Sequence, residues 1–83
     1  MDTITVDSIK NKNKTLYITL YNPKTSNTIP IYYSLSELVQ VIKNYNKRIK
    51  CVVFVGRKTF FNKEMIEQVK QVIVDKDIYL KNI

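Results

Sequence analysis

In Thr3–Val6, Thr15–Tyr21 and Thr28–Tyr33 the apolar residues of this chain recur at every second position; over Leu35–Tyr45 they recur at every third or fourth. The switch falls inside Tyr33-Ser-Leu-Ser-Glu37-Leu38. Ser34 and Glu37 have the spacing of a capping box, and Tyr33 and Leu38 occupy the two positions of a hydrophobic staple. A chain that changes period at a helix start must fold as strands followed by helices, which confines it to a mixed α and β architecture.

Before the switch three strands are predicted. Thr3–Val6 alternates with Ile4 and Val6 on one side. Asn11–Lys14 is a polar turn, and Thr15–Tyr21 sets Leu16, Ile18 and Leu20 opposite Tyr17, Thr19 and Tyr21. Asn22–Asn27 reads as a loop, and Thr28–Tyr33 as a strand with Ile29, Ile31 and Tyr33 in phase. Pro30 cannot donate to a ladder and demands a free edge or a bulge there.

After the switch Leu35, Leu38, Val39, Ile42 and Tyr45 form one helical stripe, with Glu37, Gln40, Asn44 and Lys47 toward water. Ile49–Val55 is a strand apolar on both faces. Asn62 is the expected N-cap of a second helix whose Met65, Ile66, Val69, Val72 and Ile73 face the core. Asp77–Lys81 closes the chain as a short strand with Ile78 and Leu80 inward.

The order is βββαβαβ in a single domain over residues 1–83, an α+β or α/β fold with a mixed five-stranded sheet and two helices. The first three strands suit an antiparallel meander. The helices are crossovers, so strands three, four and five run the same way, and such crossovers are right-handed. If the fourth strand lies between the third and fifth, both helices cover one face and the other exposes Tyr17, Tyr21, Tyr32 and one side of strand four. If the chain reverses direction, the helices cover opposite faces. We favour the same-face arrangement, whose bare face calls for a partner such as a second copy of the chain.

With 83 residues the chain buries roughly 60–65% of its unfolded surface, enough for a thin core. One Cys allows no disulfide framework, and the absence of His removes the usual metal ligand and general base. The longest apolar run, Cys51–Val55, is far too short to span a membrane, and MDTITVD is too acidic for a signal peptide. A soluble, cytoplasmic setting is expected, that of the host if the chain is viral.

The net charge is +7 and unevenly placed. Residues 8–58 hold ten Lys or Arg against the single carboxylate Glu37, whereas residues 63–83 hold four of each sign. Such a field attracts polyanions. It also has a bland source: Ile, Lys, Asn and Tyr, with A/T-rich codons, make up 37 of the 83 residues. That bias is common in phage and mobile-element genes.

Catalytic patterns are scarce. Glu37 belongs to a capping box, Glu64 and Glu67 suit the start of a helix, and Cys51 has no histidine partner. The lone Gly56 excludes glycine-rich phosphate loops. No cofactor is implied and the chain reads as a non-enzyme, with nucleotide processing at a dimer interface as the one exception entertained.

Two binding constellations remain. Tyr17, Tyr21 and Tyr32 sit on strands two and three near Lys14, Lys24 and Arg48, as stacking residues, as a dimer contact, or simply as good strand formers. Gly56, Arg57, Lys58 and Thr59 follow the carboxyl end of strand four, where α/β units gather ligands. Cations beside the next helix N-terminus are unfavourable unless an anion shares the site. Otherwise Gly56 merely supplies a positive φ and the charges are solvated. Lys63, Lys47, Arg48 and Lys50 join that basic set. Of Phe60 and Phe61, one is expected to plug the core and the other to serve as a contact. The expected partner is nucleic acid or an acidic protein surface. The alternative is a phage-type regulator or inhibitor that binds a host protein complex.

The stretch Ile49-Lys-Cys-Val-Val-Phe-Val-Gly56, preceded by the helix Ser34–Tyr45, resembles the middle of small radical-SAM activases of anaerobic ribonucleotide reductase. In that family a similar strand enters a Gly-Gly-Glu turn. Here Arg57 and Lys58 replace its last two residues and the three-cysteine cluster motif is missing, so the resemblance implies an α/β fold and not the activity.

Overall fold

A computed structural model of the protein describes residues 3–83. The strands are β1 (Thr3–Lys12), β2 (Thr15–Leu20), β3 (Ile31–Ser34), β4 (Cys51–Gly56) and β5 (Asp77–Asn82). The helices are α1 (Leu35–Tyr45), between β3 and β4, and α2 (Lys63–Val72), between β4 and β5. Short 3-10 turns lie at Asn46–Arg48 and Lys58–Phe60.

Both helices begin where the sequence places them. The Ser34 hydroxyl accepts from Glu37 N–H, and Glu37 accepts from Ser34 N–H, closing the capping box. Asn62 Oδ1 accepts from the N–H groups of Glu64 and Met65. The helical stripes then bury Leu38, Ile42, Met65 and Val69 on the sheet.

The sheet order is β3-β1-β2-β4-β5. β1 pairs antiparallel with β2 and β3, and β2, β4 and β5 are parallel neighbours. Strands three, four and five therefore run the same way, and β4 lies between β3 and β5. Both helical crossovers move in one direction, so α1 and α2 share a face and touch each other. The core is the single layer beneath them, built on Leu16, Ile18, Val52 and Phe54, all fully buried.

The meander does not form: β3 pairs with β1, not β2. The connection from β2 to β3 is long enough to pass β1, and Asp7 holds it by accepting hydrogen bonds from the Ser26 and Thr28 hydroxyls. Asp7 is itself the extra residue of a β-bulge, since Val6 opposes Leu20 and Ser8 opposes Thr19. The bulge shifts the alternation by one residue, so β1 continues to Lys12 with Ile9 on the core side, opposite Ile18.

Three smaller expectations are corrected. The turn of the first hairpin is the two-residue Asn13-Lys14, both with positive φ (53° and 63°), a type I′ turn. β3 begins only after Pro30 and leaves Ile29 89% exposed, because the edge strand is too short to carry it into the core. Leu80 is on the helix side of β5 yet 49% exposed, because the helices do not reach over that edge. Among the described residues no helix is long and apolar enough to cross a membrane.

Candidate nucleic-acid interface

The strand registers place the residues of the uncovered face in rows. Lys10 opposes Tyr17, Tyr17 opposes Val53, and Val53 opposes Tyr79, a continuous line across four strands. The next row is Ser8, Thr19, Val55 and Lys81, and on the other side runs Lys12, Thr15, Cys51 and Asp77. Tyr17 and Tyr79 flank the half-buried Val53 and are 36% and 55% exposed. Two strand spacings separate them, about 10 Å. Lys10, Lys12 and Lys81 are exposed, and Asp77 is the carboxylate of these rows.

Tyr79 did not count among the sequence candidates, nor did Lys10 or Lys81. The signal was present in Asp77–Lys81: if Ile78 and Leu80 point inward, Tyr79 and Lys81 point out. The Tyr79 hydroxyl donates to Asp77 at 3.4 Å, and the Asp77 charge raises its pKa above the ordinary tyrosine value.

Tyr21 and Tyr32 belong to a different place. Tyr32 opposes Thr5, and Tyr21 N–H donates to the Thr5 carbonyl at 3.1 Å. Together with Thr59, Phe60 and Phe61 they line a cleft of about 770 Å³ at the end of the sheet. No charged side chain lines it. Phe61 is half-buried against the core, as expected of one of the pair, and Phe60 is 37% exposed.

The basic set separates into two groups. Arg57 and Lys58 leave the carboxyl end of β4, and Lys63 opens α2. Lys47, Arg48 and Lys50 precede the amino end of β4, where Lys50 N–H donates to the Lys14 carbonyl at 2.7 Å. The length of β4, about 17 Å, lies between the groups. All six side chains are exposed.

The loop after β4 is not a cradle of free N–H groups. Lys58 N–H donates to Asn82 Oδ1, Phe60 N–H to the Arg57 carbonyl and Phe61 N–H to the Lys58 carbonyl. The first turn of α2 is capped by Asn62 and carries Glu64. Arg57 and Lys58 belong to a separate 3-10 turn, and Lys63 is the cation that stands in the first turn of α2 beside Glu64. Gly56 has no positive φ. It is a buried strand residue whose added Cβ would meet Leu20 Cβ at 3.1 Å. What the geometry offers an anion is therefore side-chain charge at both ends of β4, with exposed tyrosines between.

Among the described residues no group of three His, Cys, Asp or Glu is placed to hold a metal ion. Set against protein-family models, curated proteins and solved structures, the chain matches none.

Proposed function

We propose that the protein binds single-stranded nucleic acid on the face of the sheet that the helices leave open. The observation that supports this most is the row Lys10–Tyr17–Val53–Tyr79. Two exposed tyrosines on strands about 10 Å apart give bases a stacking surface, and stacking is tolerant of sequence. Lys10 and Lys81 beside the rings, and the clusters at either end of β4, supply the charge that tracks a phosphate backbone. Strand flattening is not required of the ligand, whereas duplex would hide its bases from the tyrosines.

The test is fluorescence anisotropy with a labelled oligonucleotide, single-stranded and duplex, over a salt series. The single strand is expected to bind more tightly, with affinity falling steeply as salt rises. Replacing both Tyr17 and Tyr79 by Ala is expected to remove the preference for single strands. Absence of binding at low ionic strength overturns the proposal.

A second reading has its own observation. The uncharged cleft holding Tyr32 and Phe60 suits an apolar side chain of a protein better than a phosphate. In that reading the protein is a regulator attached to another protein, and Phe60→Ala, not loss of the lysines, releases it in a pull-down.

A further inference from the structure

We propose that the chain forms a two-fold dimer by antiparallel pairing of β5 with β5 of a second copy, centred on Tyr79. The two edges of the sheet are treated differently. The β3 edge is only four residues long and follows Pro30, devices that discourage strand addition. The β5 edge is six residues in unbroken register with β4, with no proline and no bulge. It exposes Tyr79 by 55%, Leu80 by 49% and Ile83 by 64%.

The backbone of β5 dictates which registers are open to it. Ile83 N–H donates to the Gly56 carbonyl, and Gly56 opposes Asn82. In a parallel ladder this turns the main-chain groups of residues 77, 79, 81 and 83 toward β4, and leaves those of Ile78, Leu80 and Asn82 pointing outward. An antiparallel partner must pair outward residues with outward residues. Centring the axis on Tyr79 does so: Ile78 of each copy becomes a hydrogen-bonded pair with Leu80 of the other.

The same register is self-complementary in side chains. Asp77-Ile-Tyr-Leu-Lys81 read against itself sets Asp77 opposite Lys81, Ile78 opposite Leu80 and Tyr79 opposite Tyr79. Each charge pair and each apolar pair occurs twice about the axis, as an isologous interface requires. Tyr79 occupies the non-hydrogen-bonded position, where facing side chains approach most closely. Leu80, uncovered by the helices, gains an apolar neighbour. The adjacent permitted registers set Asp77 opposite Tyr79 or Ile83 and lose both Asp77–Lys81 pairs. A dimer of this kind joins the two sheets edge to edge. It stands on the edge strand alone and is measured without nucleic acid.

The experiment is sedimentation velocity over a concentration series. The natural chain is expected to pass from monomer to dimer as concentration rises from micromolar to millimolar. Asp77→Lys and Lys81→Asp each set like charges opposite one another at both ends of the ladder, and each variant alone is expected to dimerise at least about tenfold more weakly. An equimolar mixture of the two restores both opposite-charge pairs and is expected to recover the dimer. Both residues are exposed, so circular dichroism should show each variant folded. Thr19→Lys, on the open face and away from the edge, should leave the dimer intact. A natural chain that stays monomeric throughout, a mixture no stronger than its components, or loss of the dimer in Thr19→Lys overturns the proposal.

Discussion

Leu20 Cβ lies 3.1 Å from the position where Gly56 would carry a Cβ of its own, and both residues are buried. The chain's single glycine is therefore set by packing between β2 and β4 rather than by a turn. The clash is with a Cβ held by the backbone, so it is not relieved by rotating a side chain. Gly56→Ala is expected to lower stability by about 1–3 kcal/mol, the usual range for overpacking. Urea unfolding measures it, and adding Leu20→Ala should not rescue the variant, since Leu20 Cβ remains and truncating a buried leucine carries its own cost.

Lys14 has φ of 63° in the second position of a type I′ turn, a conformation glycine adopts without steric cost. Its carbonyl accepts from Lys50 N–H, a bond that a glycine keeps. Lys14→Gly is therefore expected to stabilise the protein by about 0.5–1 kcal/mol, because relief of the left-handed strain at about 1–2 kcal/mol is partly offset by the freer unfolded chain. Thermal unfolding should shift upward by several degrees; an unchanged or lower midpoint contradicts the turn assignment.

The helix starts and the shared face of the two helices are legible in the sequence, whereas the strand that β3 pairs with is not. Ser34 with Glu37, and Asn62 ahead of Met65, mark helix starts through contacts a few residues apart, and both caps form. The place of β3 depends on Asp7 reaching Ser26 and Thr28, residues far along the chain, and no periodicity announces that contact. The Asp7 bulge left a trace in the three-residue step from Val6 to Ile9, which breaks the alternation. The basic candidates formed one set only because Lys50 and Arg57 are close in sequence; a strand between them carries them apart.

The capping box gives a pH dependence whose sign can be fixed. Glu37 accepts from the Ser34 backbone N–H, the larger effect, and interacts with its hydroxyl, and these hold its carboxyl below the ordinary glutamate pKa. Its contribution is complete above that ordinary value and is lost as pH falls through the lowered folded one. Glu37→Gln keeps an acceptor for Ser34 N–H but cannot titrate. In acid denaturation its stability curve should be flatter than that of the natural chain, and Glu37→Ala should be the less stable of the two variants at neutral pH. Parallel acid limbs for the natural chain and Glu37→Gln contradict this.

Stacking and charge on the open face separate by their response to salt. A tyrosine stacked on a base contributes without releasing counterions, whereas a lysine or arginine on a phosphate contributes mainly through their release. Tyr17→Ala and Tyr79→Ala are each expected to weaken single-strand binding by about 1–3 kcal/mol while leaving the slope of log affinity against log salt unchanged. Arg57→Gln and Lys81→Gln should each reduce that slope by about one. Lys47→Gln and Lys50→Gln test the far end of β4: a reduced slope there means that the bound strand runs the length of β4 as well as across it. A slope that responds only to Lys10 and Lys81 confines the ligand to the tyrosine row. Tyrosine variants that change the slope and not the affinity at low salt contradict stacking, and leave the sheet face as a charged surface alone.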